Sequence, residues 1–173
     1  MLHQINWPQG FVPGFTDNFA SNEVIVAGLT VEQVWKYLVD TKYWPHYYEN
    51  CSDIKLYDTD STQLSAEQRF FFKTFGFPVE AKVTEFVAPS AEQPARISWH
   101  GWDGEPGTDT RLDVIHAWLI EALPDNRVRI LTQETQNGVP AQQLARTLPN
   151  PMINGHQDWL NGLVQSAKNN LEV

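Results

Sequence analysis

The sequence predicts an α+β fold in which a curved antiparallel sheet of about seven strands wraps around a long C-terminal helix. Three observations predict this arrangement. An amphipathic helix follows the first strand-like segment, further strand-like segments alternate with short turns between residues 53 and 136, and residues 151–171 carry an apolar stripe at helical spacing. Strands joined by short turns pair antiparallel, so the middle of the chain is expected to form one sheet.

Length and aromatic content fit one domain with a large core. The chain has 173 residues, seven Trp and nine Phe, which is enough to fill one core or to line a cavity within it. Residues 1–15 contain Pro8, Gly10, Pro13 and Gly14, a composition typical of irregular structure. We therefore expect an irregular leader over residues 1–15 and a single domain over residues 16–173.

The formal net charge of −9 argues against several classes of partner. An acidic chain repels phosphate backbones and anionic lipid surfaces, so neither nucleic acid nor stable membrane insertion is expected. Cys51 is the only cysteine, which leaves no intrachain disulfide. The first residues lack the basic flank and the apolar stretch of a signal peptide, so the sequence predicts a cytoplasmic protein.

The first strand is predicted over residues 17–27, and the clearest local signal in the chain follows it. Thr30 and Gln33 have the spacing of a capping box, and Leu29 and Val34 have the spacing of a hydrophobic staple. The helix that begins here carries an apolar stripe of Val31, Val34, Trp35, Leu38 and Val39. Three separate signals therefore indicate the same helix start.

A second short helix is expected at Pro45, which can occupy the first turn of a helix. Beyond it, alternation and turn residues predict six strands, over residues 53–57, 68–74, 79–87, 95–101, 110–122 and 127–136. The glycine-rich loop 101–108 is either a lid over a binding site or an ordinary hairpin loop.

Two helices are predicted to complete the chain. A short one covers residues 140–148, and Asn150 and Pro151 suit the N-cap and first position of the last one. The face expected to lie on the sheet carries Met152, His156, Trp159, Leu160, Leu163, Ala167 and Leu171. Gly155 and Gly162 each weaken a helix by roughly 1 kcal/mol relative to Ala, and a close approach to the sheet would explain both.

The order of elements and two local motifs resemble the START, or SRPBCC, superfamily. Residues 30–40, TVEQVWKYLVD, with Trp44-Pro45 behind them, are similar to its opening helix pair. Residues 155–163, GHQDWLNGL, are similar to the closing helix of its bacterial polyketide cyclase/dehydrase and lipid-transport branch. The resemblance implies a helix-grip fold with a cavity between the concave face of the sheet and the last helix. It implies no single function, because the superfamily includes cyclases, lipid carriers, hormone receptors and activators of chaperone ATPases.

Strand and helix periodicity select the side chains that would line such a cavity. We expect the space between sheet and helix to be too large for the protein's own side chains to fill. The candidate ligand-binding residues on its walls are Phe70, Phe72, Trp99, Val114, His116, Trp118, Ile130, Thr132, His156, Trp159, Leu160 and Leu163. A shift of one residue in strand register would invert any of the strand assignments.

Three polar residues fall on these otherwise apolar faces. His116 and Glu134 lie within strands, and His156 lies on the last helix. Buried polar groups need partners, so these residues either meet the polar end of a ligand or form a structural hydrogen-bond network. His116 could also act as a general acid or base, because the ordinary pKa of histidine lies near neutral pH.

The favoured functional interpretation is the binding of a small hydrophobic molecule (a lipid, polyketide or aromatic compound) by a carrier or sensor. The first alternative is a polyketide cyclase/dehydrase-type enzyme in which His116 and Glu134 transfer protons. The second is a protein-interaction module resembling the activators of chaperone ATPases. No HExxH, phosphate-loop or GxSxG motif occurs, so neither a metal site nor a cofactor is predicted, and the oligomeric state is left open.

Overall fold

The computed structural model describes residues 1–173 and contains seven strands and four α-helices. In chain order these are β1 Asn18–Ala27, α1 Val31–Val39, α2 Trp44–Tyr47, β2 Cys51–Leu56, β3 Arg69–Thr74, β4 Phe77–Val87, β5 Ala95–Asp103, β6 Leu112–Leu123, β7 Arg127–Asn137, α3 Val139–Arg146 and α4 Pro151–Asn169. A single 3-10 turn, Thr41–Tyr43, precedes α2. Every element expected from the sequence is present, with boundaries displaced by a few residues.

The seven strands form one antiparallel sheet in the order β1-β7-β6-β5-β4-β3-β2. Strands β2 to β7 pair with their neighbours in sequence, as short turns require. Strand β1 closes the other edge by pairing with β7, so that Val24 lies opposite Ile130. The curved sheet with α4 across it is the expected α+β helix-grip arrangement.

Helix α1 begins as the capping pattern predicts. The Gln33 backbone N–H donates to Thr30 Oγ1 at 3.2 Å, and the Thr30 backbone N–H donates to Gln33 Oε1 at 2.8 Å. Both bonds satisfy N–H groups that have no partner inside the helix. Val34 and Leu38, on the face of α1 that meets the core, are fully buried.

Glycine is needed at two positions of α4 for a different reason from the one expected. A Cβ at Gly162 would lie 2.1 Å from the backbone oxygen of Tyr47, and a Cβ at Gly155 would lie 2.2 Å from Cζ of Phe75. The close approach is therefore to α2 and to the β3–β4 turn rather than to the body of the sheet. These two contacts let α4 lie close to both.

The space between sheet and helix is mostly filled, so the expectation of a roomy cavity is wrong. One core of 28 buried residues joins the concave face of the sheet to α1, α2 and α4. Its largest fully buried side chains include Trp44, Trp99, Trp118 and Trp159. Indole rings of this size, packed edge to face at centroid distances such as 5.0 Å between Trp44 and Trp159, occupy the volume that smaller residues would leave open.

The leader covers the convex face of the sheet. Ile5 is buried against Ala117, Leu119 and Leu131, whose side chains point away from α4. The Arg129 guanidinium donates to the backbone oxygen of His3 at 2.9 Å. Irregular backbone in residues 1–15 is thus held in place by both apolar packing and hydrogen bonds. No helix in the structure combines the length and the apolar character that crossing a membrane requires.

Candidate functional site

One small cavity remains between the sheet and α4, at the end nearest the β3–β4 turn. Its volume is about 30 Å³, room for about one or two water molecules. Most of its wall is apolar, and its polar lining consists of Thr74, His116, Glu134, Gln136 and His156. Apolar walls with a few converging polar groups are typical of ligand sites, although this cavity is far smaller than most.

The candidate residues divide into two groups of equal size. Six line the cavity, namely Phe72, Trp99, Val114, His116, His156 and Trp159. Five of the others, Phe70, Trp118, Ile130, Leu160 and Leu163, lie in the packed core, and Thr132 lies behind His116. The faces of the strands were assigned correctly, but periodicity contains no information on where packing ends. A role of these residues in binding a ligand stays a prediction.

His116, Glu134 and His156 converge on one point of the cavity wall. His116 and Glu134 are direct cross-strand partners on β6 and β7, and α4 brings His156 above them. His116 Nδ1 lies 3.1 Å from Glu134 Oε2, and His156 Nε2 lies 3.5 Å from the same oxygen. All three residues are buried, and both histidines are at most 2% exposed. We call these residues the His-Glu-His cluster.

A second layer of polar groups orients this cluster. His116 Nε2 and Thr132 Oγ1 are 2.8 Å apart, within hydrogen-bonding distance. Gln136 Nε2 donates to Glu134 Oε1, and Asn18 Nδ2 donates to Gln136 Oε1 at 2.7 Å. His156 Nδ1, in contrast, has no hydrogen-bond partner. The structural-network interpretation therefore accounts for His116 and Glu134 in part, and it leaves one nitrogen of His156 without a role.

Burial and neighbouring charges set the protonation states of two members. Burial and, to a smaller extent, the neighbouring His156 lower the pKa of His116 to about 3, although Glu134 acts in the opposite direction. Burial raises the pKa of Glu134, but contacts with His156, His116 and Gln136 outweigh it, so the net pKa lies below its ordinary value. At neutral pH His116 is uncharged and Glu134 is a carboxylate. A histidine with so low a pKa is a weak general base.

Phe75 separates the cavity from a groove on the protein surface. Its side chain lines both the cavity and an open groove of about 840 Å³ between α2, the β3–β4 turn and the start of α4. Phe75 and Gly76 form the two-residue turn, with φ of +51° and +77°, and the Phe75 N–H donates to Asn50 Oδ1 at 3.2 Å. This half-buried ring lies between the groove and the cavity at the His-Glu-His cluster.

Sequence reasoning missed this position of Phe75, because residues 75–78 fell between two predicted strands and were not considered further. A Gly in the second position of a two-residue hairpin was the available signal, since it would have placed Phe75 at the tip beside α4. The loop at residues 101–108 contributes nothing to the cavity wall. His100 lies on the other face of β5 from Trp99, where its Nε2 is 2.8 Å from Asp113 Oδ1, and it does not line the cavity.

Comparison with known proteins gives one family and several similar structures. Residues 28–141 match the family described as polyketide cyclase/dehydrase and lipid transport. The crystal structure of the hypothetical protein jhp0584 from Helicobacter pylori has 50% sequence identity and a TM-score of 0.92, with 96% of this chain and 98% of that chain covered. No curated protein matches the sequence.

More distant structures share the fold. The Zhui aromatase/cyclase from Streptomyces sp. R1128 has 12% identity and a TM-score of 0.63, over 90% of this chain and 96% of its own. Protein MLL2253 from Mesorhizobium loti has 11% identity and a TM-score of 0.61, over 90% of this chain and 100% of its own. At such low identity the likeness concerns the fold alone.

Proposed function

The chain belongs to the polyketide cyclase/dehydrase and lipid transport family, and from that premise we propose that it binds a small, mostly apolar molecule between its sheet and α4, as a carrier or sensor. The observation that carries the proposal is the cavity beside Phe75, whose apolar wall ends at the His-Glu-His cluster. The apolar wall would take the inserted end of the molecule, and the cluster would take a polar group at its tip.

The size of the cavity limits how the molecule binds. A volume of about 30 Å³ is well below the roughly 300–1,000 Å³ of ordinary small-molecule sites. Outward rotation of the Phe75 ring would join the cavity to the surface groove beside it. The ligand is therefore expected to lie mainly in the groove and to insert one narrow end past Phe75.

The chemistry of the inner end favours a hydroxyl group. Glu134 is an acceptor, and the free Nδ1 of His156 can donate or accept a hydrogen bond according to its tautomer. A phenol or alcohol would donate to Glu134 and use its second site at His156. Burying the same groups against a ligand without a hydroxyl leaves them unpaired, which costs about 1–3 kcal/mol.

Two measurements test the proposal. Native mass spectrometry of freshly purified protein is expected to show a bound small molecule. Titration with 2-naphthol and with naphthalene, followed by amide NMR shifts, is expected to place both near Phe75, with 2-naphthol bound about tenfold more tightly because of its hydroxyl. Absence of binding by either compound, together with an empty native protein, would refute the proposal.

A second candidate is catalysis of the cyclase/dehydrase type, in which His116 or Glu134 moves protons. The observation that favours it is that both side chains open onto the cavity instead of being sealed in its wall. The low pKa of His116 weighs against it. Replacement of His116 by Asn would abolish turnover and leave ligand binding nearly intact. Turnover that survives this change would remove His116 from the reaction.

A further inference from the structure

The His-Glu-His cluster has the composition of a metal site. Two imidazoles and one carboxylate are the protein ligands of many mononuclear zinc sites and of the facial triad that holds ferrous iron. Spacing along the chain predicted no such site, because its members come from β6, β7 and α4. The fold alone brings them together.

The distances within the cluster agree with shared ligation. Two ligand atoms that each lie about 2.1 Å from one ion are about 3.0–3.5 Å apart at tetrahedral or octahedral angles. Glu134 Oε2 lies 3.1 Å from His116 Nδ1 and 3.5 Å from His156 Nε2. The three ligand atoms all lie within 4.8 Å of one another, so small side-chain rotations would bring them around one ion.

The groups around the cluster are also those expected around a metal site. The second nitrogen of His116 faces Thr132, and the second oxygen of Glu134 accepts from Gln136. Outer partners of this kind orient metal ligands. No Lys or Arg contacts the Glu134 carboxylate, and a buried anion without a cation is costly.

One further feature suits an ion. The adjoining cavity of about 30 Å³ has room for a bound water. From these observations we infer that His116 Nδ1, Glu134 Oε2 and His156 Nε2 bind one divalent transition-metal ion of the zinc or iron class, with an open position facing the cavity. This site does not depend on whether an apolar molecule enters past Phe75.

Cobalt and zinc ions test the inference directly. Tag-free protein is dialysed against EDTA and titrated with Co²⁺, followed by visible absorption, and with Zn²⁺, followed by calorimetry. The expected result is one ion per chain and a cobalt spectrum typical of nitrogen and oxygen ligands. The variant Glu134→Gln is expected to bind at least about 100-fold more weakly, since even outer partners contribute about 10- to 100-fold.

His100→Asn is the matched control. His100 also faces a carboxylate, that of Asp113 at 2.8 Å, but no second histidine joins that pair. Binding is expected to be unchanged in His100→Asn. Thr132→Val, which removes the partner of His116 Nε2, is expected to weaken binding about tenfold.

A measurement on the unaltered protein covers the case in which Glu134→Gln does not fold. The protein has five histidines, and NMR of their ring nitrogens with and without Zn²⁺ is expected to move the signals of His116 and His156 only. No one-to-one binding by the folded protein, or binding that moves His3 or His100 instead, overturns the inference. So does binding that survives Glu134→Gln. The naphthol titration uses EDTA-treated protein, so failure of ligand binding and failure of metal binding are separate results.

Discussion

Phe75 is the side chain that lines both the surface groove and the cavity at the His-Glu-His cluster. Its backbone is held by Asn50, and its ring lies against the backbone of Gly155. A ring at the tip of a two-residue turn can rotate without disturbing the sheet, because Phe75 lies outside the paired residues of β3 and β4. The side chain is therefore suited to control access by rotation alone.

Replacing Phe75 by Ala is expected to speed binding of 2-naphthol and to raise its affinity, because the ring no longer has to move. The free energy of unfolding should fall by only about 1 kcal/mol, since the ring is half-buried. Stopped-flow mixing gives the binding rate, and urea unfolding gives the stability. Phe15→Ala, at an exposed position 87% open to solvent, is the control. Unchanged binding in Phe75→Ala would show that the molecule enters elsewhere.

At the scale of elements, α4 depends on its two glycines in different ways. A methyl group at Gly155 would meet the far end of the Phe75 side chain, which can move away. A methyl group at Gly162 would meet the backbone oxygen of Tyr47, which cannot. The same substitution at the two positions of one helix should therefore change stability to different extents.

We expect Gly162→Ala to lower the free energy of unfolding by about 1–3 kcal/mol, because overpacking outweighs the gain in helix propensity. Gly155→Ala should leave stability nearly unchanged, displace Phe75 and speed ligand binding. Urea unfolding of the two variants, with Gln165→Ala on the exposed side of α4 as a reference, measures the difference. Equal effects of the two glycine substitutions would contradict this account of α4 packing.

The start of α1 is a second element-scale test. Thr30→Ala removes the side-chain acceptor of the Gln33 N–H and should destabilise the protein by about 1 kcal/mol. Thr30→Ser retains the hydroxyl and should retain nearly all of the stability. Thermal unfolding of both variants checks the cap, and equal losses in the two would assign the effect to the lost methyl group instead.

At the scale of the whole molecule, charged groups tie the leader to the convex face of the sheet. The Arg129 side chain donates to Glu121 Oε1 at 2.7 Å and to Glu23 Oε2 at 2.5 Å. His3 Nδ1 lies 2.7 Å from Glu121 Oε2. Burial raises the pKa of Glu121, but the bonds to His3 and Arg129 outweigh it, so its net pKa is lower than the ordinary 4.5.

A carboxyl group with a lowered folded-state pKa stabilises the protein above its unfolded pKa, and this stability is lost as the pH falls through the folded value. At pH 7 the melting temperature of the unaltered protein should therefore be clearly higher than that of Glu121→Gln. This difference in melting temperature should shrink below about pH 4.5. At neutral pH the loss in the variant is expected to be about 1–3 kcal/mol. Asp125→Asn, at an exposed surface pair, is the control. A gap that does not change with pH would exclude Glu121 as the cause.

The fold could be predicted from the sequence because its signals are local. The capping box of Thr30 and Gln33, the N-cap of Asn150 and the turns between strands each act over a few residues. The assignment of His116 and Glu134 to one face also held, since side chains alternate along a strand. What could not be predicted was the position of Phe75 and the fit of Gly162 against Tyr47, because each depends on two elements that meet only after folding.

The sequence by itself determined the order of the elements, the face that each one buries and the presence of polar residues on those faces. Only the tertiary structure decided how little space is left between sheet and helix, and that His116, Glu134 and His156 meet around it. The physical reason is that periodicity indicates only the direction in which a side chain leaves the backbone. A residual volume of about a few tens of Å³, in contrast, is the small difference between the space that the backbone encloses and the volume of the Trp and Phe side chains within it.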